Sequence, residues 1–437
     1  MNRPYKANGL GVGVVWWPPL DTLCRESEGL VDVIEVEPEA FWVPEPGGFR
    51  SFAGEALKHL TQPKLLHSVG APVCGTCPAP RGHAEALARE VAELHPEYVS
   101  EHLSVTRFRP KIGDPDVFAG FMLPPAQSRA GVERAAANIL EHSYALGGIP
   151  LAVETTVSYL PPAPGEWPDG AFVRAVAETA DCGILLDLHN VLCNSRNGRQ
   201  SVADFCDAIP LERVWEIHLA GGENEGGFYV DAHSGLVEPE LMEIATALVP
   251  RLPNLRAITL EIMPERVAEA GLPAIARQLG RIRDLWNLRA NTSEPHFNAI
   301  QTLPPTGSPL NDPEAWERLL GCAVIGHPQP AIDPRTAEWW KSATAALELY
   351  RLLIGEARAS AVLSSAPRTT RHLLNGRGGP GTRRILAEFW SQSPPLYTAM
   401  DEARAFFRFL AESEAKTPEL MDAVALDAAE LVGIAGL

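Results

Sequence analysis

Ile184-Leu185-Leu186-Asp187-Leu188-His189-Asn190 is the stretch on which the fold turns. Three apolar residues closed by an acidic one read as a short strand, buried on both faces, whose last residue emerges at an edge. The same grammar recurs through the first two-thirds of the 437-residue chain. Gly11–Val15, Val31–Val36, Lys64–Ser68, Tyr98–His102, Leu151–Thr155, Ile184–Asp187, Val214–Leu219 and Ala257–Glu261 are all short and largely apolar. Helical spacing fills the gaps at His83–Leu94, Ala130–Leu146, Ala171–Ala180, Val202–Ala208 and Glu240–Val249, and again at Leu272–Leu288 after the last strand. Eight strands alternating with helices predict an α/β chain with a TIM-type (β/α)8 barrel over residues 9–289. A doubly wound open sheet would want a glycine-rich phosphate turn after the first strand. Gly11-Val12-Gly13 lies inside a strand pattern and lacks the third glycine.

From 290 to 311 the pattern breaks into Asn, Thr, Ser and Pro, including Pro304-Pro305 and Pro309, which reads as a linker. Residues 312–437 then read as a small all-helical domain, with helices expected at Pro313–Leu320, Pro334–Ile354, Thr382–Trp390, Tyr397–Ala411 and Pro418–Val432. Thr417-Pro418-Glu419 is a helix start, an N-cap followed by proline at the first helical position.

Composition narrows the function classes. The charge balance of 37 basic and 55 acidic side chains is −18, which argues against a phosphate-backbone partner. No charge-free apolar run of about 18 residues occurs, which argues against a membrane span. Met1 to Leu10 carries Arg3 and Lys6 but no apolar segment of signal-peptide type, so a cytoplasmic location is expected. Seven scattered cysteines do not form a disulfide framework. Cys74 and Cys77 make one CxxC pair, half of a zinc site, open to a plain-thiol, a redox or a ligand reading.

What stands at the strand ends carries the chemistry. His67 ends the third strand, Glu101-His102 the fourth, Glu154 the fifth, Asp187 the sixth, His218 the seventh and Glu261 the eighth. The loop after the sixth adds His189 and Asn190, and the loop after the seventh adds Asp231-Ala232-His233. In a β/α barrel these positions converge on one mouth. Ionisable groups crowded there need partners, and a metal cluster supplies them. The donors exceed the three protein ligands usual for a catalytic zinc. Mixed imidazole and carboxylate donors suit zinc, manganese or non-haem iron, and ligand type alone does not choose between them.

Several segments carry a resemblance. Leu66-His67-Ser68-Val69-Gly70, Ser100-Glu101-His102-Leu103, Val153-Glu154-Thr155-Thr156-Val157-Ser158-Tyr159, Leu185-Leu186-Asp187-Leu188-His189-Asn190-Val191, Glu216-Ile217-His218-Leu219-Ala220-Gly221 and Asp231-Ala232-His233 are similar to the multinuclear non-heme iron-dependent oxidative enzymes. The methanobactin and thiaglutamate biosynthesis oxidases belong to that family. The resemblance spans residues 9–287. It implies a TIM barrel with two or three irons of mixed Fe(II)/Fe(III) character, O2 as oxidant, and a ribosomally made precursor peptide as substrate, with cysteine the residue most often modified. Carried over motif by motif, His67, His102, Glu154, Asp187, Asn190, His218, Asp231, His233 and Glu261 are the implied metal ligands, with Glu154 and Asp187 as bridges. The chain departs from the family at Ser68 (usually Gly), His189 (usually Asn), Trp16-Trp17-Pro18-Pro19 (where a His is usual) and Glu261-Ile262-Met263 (usually Glu-Arg-Asp).

Family members commonly recruit the peptide through a separate helical protein. Phe389-Trp390, Phe406-Phe407-Arg408-Phe409-Leu410 and the closing helix resemble such a partner, fused here, so that a separate one becomes unnecessary. Arg368, Arg371, Arg377, Arg383 and Arg384 stand among Gly, Pro and polar residues. They read either as a solvated basic loop or as a contact for an acidic leader, with Arg377, Arg383 and Arg384 as the peptide-binding candidates. The expected function is iron- and O2-dependent modification of a peptide residue, cysteine foremost. Its rivals are a zinc- or manganese-dependent sugar isomerase or hydrolase, and a non-catalytic peptide-binding adaptor with a degenerate barrel.

Overall fold

The computed structural model describes residues 9–26, 29–289, 311–330 and 334–436. Eight strands close a parallel barrel in chain order. They are β1 (Gly11–Val15), β2 (Val33–Val36), β3 (Lys64–His67), β4 (Val99–His102), β5 (Leu151–Glu154), β6 (Gly183–Asp187), β7 (Val214–Leu219) and β8 (Ala257–Leu260). Closure is made by β1 on β8, with Gly11 opposite Ala257 and Val14 opposite Leu260. Each expected strand is present within two residues of its expected bounds.

Side chains on a strand alternate between faces, so every second residue points into the barrel. The interior therefore builds in layers. Val33, Leu65, Tyr98, Ala152, Leu185 and Ala257 pack as an apolar floor. Two residues further along the same strands stand Glu35, His67, Ser100, Glu154, Asp187 and Thr259, all buried. Pairing of β6 with β7 shifts register between Ile184 and Leu185, placing Val214 and then Glu216 opposite them. That irregularity brings Glu216 and His218 into phase with the layers.

Short hairpins extend three strands beyond the mouth: Trp42–Glu45 with Gly48–Ser51, Val105–Phe108 with Val117–Leu123, and Glu223–Glu225 with Phe228–Val230. A helix at Leu188–Arg196 follows β6 directly, where a loop was expected. The expected linker falls at 290–311, and its residues 290–310 lie outside the described residues.

The helical region comprises Pro313–Val324, Pro334–Ser342, Thr344–Ser365, Pro367–Gln392, Ala399–Glu412 and Pro418–Gly436. It contains two cores. Trp316, Leu320, Trp339, Ala346 and Tyr350 pack with Phe108, Leu123, Tyr159 and Val230 from the barrel's own extensions. Val362, Leu373, Phe389, Phe406, Leu410 and Leu420 form the other. Among the described residues no helix is long and apolar enough to cross a membrane.

Two further expectations need correction. The single helix expected over Pro334–Ile354 is broken at Ala343, where one helix ends and Thr344–Ser365 begins. The basic stretch is not a loop. It is helical from Pro367, interrupted at Gly378 (φ 65°, ψ 176°) and resumed with Pro380 in the first turn. Glycine permits the left-handed break and proline suits a helix start, so the composition that suggested a loop marks a kink.

Candidate metal centre

The nine expected ligands form one contiguous set at the mouth. His67 Nε2 and His102 Nε2 lie 3.0 and 3.1 Å from Glu154 Oε2. His218 Nδ1 lies 3.1 Å from Glu261 Oε2 and 3.9 Å from Asp187 Oδ2. His233 Nε2 lies 3.1 Å from Asp231 Oδ1 and 3.2 Å from Glu261 Oε2. Asn190 donates its amide to Glu154 Oε1 at 3.2 Å and to the Thr155 carbonyl at 3.1 Å, which turns its Oδ1 the other way.

Three overlapping triads have donor atoms close enough to share an ion: His67/His102/Glu154, Glu154/Asp187/His218 and Asp187/His233/Glu261. Glu154 and Asp187 each belong to two, as bridging carboxylates must. Six donor atoms are buried yet make no hydrogen bond: His102 Nδ1, Glu154 Oε2, Asp187 Oδ2, Asn190 Oδ1, Asp231 Oδ1 and His233 Nε2. Leaving such groups unmatched costs about 1–3 kcal/mol each. Glu154 Oε2, Asp231 Oδ1 and His233 Nε2 crowd within 3.0–3.2 Å of other atoms of the set, and cations among them would satisfy their lone pairs. The donor chemistry and the geometry both fit a multinuclear metal group.

Supporting side chains fix the donors. Ser100 Oγ holds His67 Nδ1 at 2.9 Å, leaving Nε2 to face Glu154. Asp187 Oδ1 caps the Leu188–Arg196 helix by accepting from Asn190 N at 2.7 Å, which leaves Oδ2 for the mouth. His233 adopts φ 42°, a left-handed conformation that a residue with a Cβ holds only under constraint.

Several participants were not expected. Glu35 Oε2 holds His218 Nε2 at 2.9 Å. Glu216 stands beside Glu35 and accepts from Tyr98 OH at 2.7 Å and Thr259 Oγ1 at 2.6 Å. Burial, then the neighbouring Glu35 charge, pushes Glu216 up to about 8. Burial also acts upward on Glu35, but the charge and hydrogen bond of His218 bring it below the ordinary carboxylate range. Glu35, Glu216 and His218 are close enough to suggest a fourth metal triad. With Glu216 held by Tyr98 and Thr259 and Glu35 held on His218 Nε2, the pair reads instead as a bracket for the imidazole. The signal for both glutamates was legible: each is a lone acid inside an apolar strand. Glu101 Oε1 accepts from its neighbour His102 N at 2.8 Å, while Oε2 accepts from Ser68 Oγ and Ala71 N. The half-buried Glu37 faces Glu261, and burial together with that charge raises it to about 7.

His189 lies at the rim, with Nε2 3.6 Å from Asp231 Oδ1 and 3.4 Å from Cys193 Sγ. Cys74 and Cys77 are free thiols and join no triad of metal donors among the described residues. Burial raises both, Cys77 to about 11, so neither is a thiolate at neutral pH. Arg377, Arg383 and Arg384 are exposed on the kinked Pro367–Gln392 helix, apart from the donor set.

The RiPP precursor modification enzyme family MbnB/TglH/ChrH matches residues 10–270. The chain belongs to that family. All nine donors of this MbnB/TglH/ChrH member fall inside the matched span, and the helical region lies beyond it. A UPF0276 protein of Chromobacterium violaceum is 30% identical over 247 residues, covering 55% of this chain and 87% of the relative. One from Caulobacter vibrioides is 30% identical over 235 residues, covering 53% and 80%. Solved structures give remoter likenesses. An L-ribulose 3-epimerase matches with TM-score 0.38 and 14% identity over 63% of this chain and 93% of its own. A D-allulose 3-epimerase from Methylomonas sp. matches with TM-score 0.41 and 14% identity over 65% and 97%.

Proposed function

We propose that this protein uses iron and O2 to modify a residue, cysteine, in a ribosomally made precursor peptide. The observation that supports this reading is the nine-donor set with two shared carboxylates, inside the span that matches a family of precursor-modifying enzymes. Nine donors exceed the about six positions of a single octahedral ion. His67, His102, Glu154, Asp187, Asn190, His218, Asp231, His233 and Glu261 would hold two or three irons of mixed Fe(II)/Fe(III) character. Bound iron supplies one-electron redox chemistry and the activation of O2.

The chain's own part is to hold, orient and shield. Ser100 and the Glu35–Glu216 bracket fix the faces of His67 and His218. The apolar floor closes the barrel below the donors, so access is from the mouth. A cysteine suits that opening because its thiolate is a good ligand for iron. The helical region would recruit the peptide. Arg383 lines an apolar groove of about 650 Å³ with Arg351, Leu363, Leu374, Leu386 and Trp390. Arg377 and Arg384 stand nearby in sequence, and the three arginines would pair with an acidic leader.

The test is to incubate the protein with Fe(II), O2 and the candidate precursor peptide and to weigh the peptide by mass spectrometry. A mass change that requires both iron and O2 is expected. A change that persists without O2, or with zinc replacing iron, would favour a hydrolytic or isomerising barrel.

A further inference from the structure

We infer that the helical region positions the Asp231–His233 end of the metal centre through a pair of tyrosines packed edge to face. This rests on the reading that those residues hold a metal.

The turn that carries Asp231 and His233 has little structure of its own. It follows the two-stranded hairpin Glu223–Glu225/Phe228–Val230, and such ribbons are marginal in isolation. His233 is moreover held at φ 42°. The turn is therefore pinned from outside. Asn197 clamps Tyr229 by accepting from its N at 2.9 Å and donating to its O at 2.8 Å. Met263 N donates to the His233 carbonyl at 3.1 Å. Between these pins, Asp231 N donates to the Tyr159 hydroxyl at 3.2 Å.

Tyr159 lies in the irregular segment after β5, and its place is set by the helical region. Its N donates to the hydroxyl of Tyr350, on the Thr344–Ser365 helix, at 3.3 Å. The two rings meet edge to face with centroids 5.4 Å apart, and Phe228 meets Tyr159 edge to face at 6.0 Å. Both tyrosines are almost fully buried. The same segment is tied to the helix after Asp187, because Ser158 N donates to Asn194 Oδ1 at 2.7 Å. Moving the Tyr350 hydroxyl therefore moves Tyr159, and with it the backbone of Asp231. Tyr350 and Tyr159 are positioning residues, and the helical region is part of the metal centre's scaffold besides any role in recruitment.

Tyr350→Phe and Tyr159→Phe each delete one hydroxyl and keep the ring. Trp316→Phe serves as control, since Trp316 belongs to the same core but spends its indole N–H on the Pro124 carbonyl. Full-length wild type and variants are titrated anaerobically with Fe(II) by calorimetry, metal content is measured after desalting, and thermal unfolding is followed. Wild type should take up at least two equivalents. Both tyrosine variants should bind one equivalent roughly 10–100-fold more weakly, as loss of outer support around a metal does. Their unfolding temperatures should stay within about 4 °C of wild type, and Trp316→Phe should titrate like wild type. Tyrosine variants that titrate like wild type, or a Trp316→Phe that loses iron equally, overturn the inference. A wild type that takes up no Fe(II) overturns the reading of the site and this inference with it.

Discussion

Asp187 serves two purposes with its two oxygens, one capping a helix and one facing the mouth. Substitution separates them. Asp187→Asn keeps an acceptor for the cap, so the fold should hold while the iron content falls by at least one equivalent, as metal analysis and circular dichroism would show. Asp187→Ala should lose the same iron and in addition about 0.5–2 kcal/mol from the missing cap. Protons compete for the same donors. Burial opposes a charge on His67, but the charge and hydrogen bond of Glu154 outweigh it and lift the imidazole to about 10. Without metal His67 is protonated at neutral pH, and an ion must displace that proton. Apparent Fe(II) affinity should therefore rise between pH 6 and 8, with proton release visible as a buffer-dependent calorimetric heat. An affinity flat across that range would contradict the arrangement. At this scale the donors were readable because each ends a strand or sits just past one. Glu35 and Glu216 were passed over because each sits inside an apolar run, where only the two-residue alternation reveals an inward carboxylate.

Secondary elements differ in how openly they announce themselves. Several of the barrel strands are continuous apolar runs, which mark them out in the sequence. The Leu188–Arg196 helix reads as loop because its buried polar residues, His189, Asn190 and Asn194, serve the mouth rather than a solvent face. The Pro367–Gln392 helix reads as loop because glycine and proline crowd its kink. The contact at Gly70 was also invisible, since it joins elements far apart in sequence. A Cβ there would lie 2.0 Å from the Tyr397 hydroxyl, 2.7 Å from His83 Nε2 and 2.9 Å from Glu39 Oε1. Gly70→Ala should thus destabilise the protein by about 1–3 kcal/mol, measured by urea unfolding. Full stability in that variant would show that the helical region sits more loosely over the loop after β3. The kinked helix yields its own prediction. Substituting Arg377, Arg383 and Arg384 by Ala should weaken precursor-peptide binding in calorimetry and leave the iron content unchanged. Affinity for an acidic leader should also fall with salt, because exposed charges are screened over about 8–10 Å. Equal peptide affinity in the triple variant would leave the arginines as solvated surface.

The whole molecule is a barrel extended by its own hairpins, with helices that share a core with them. The barrel could be derived from strand count, and the helical nature of the C-terminal region from its start signals. Their joint core could not, because Tyr159, Tyr350 and Trp339 each look like ordinary core aromatics until the fold brings them together. What unites the molecule is the claim that the strand ends build one multinuclear iron centre. Metal analysis combined with Mössbauer spectroscopy of the aerobically isolated, full-length protein tests that claim most directly. Two or three irons per chain, with both Fe(II) and Fe(III) signals, are the predicted result. A single zinc per chain, with activity that survives removal of iron, would contradict it.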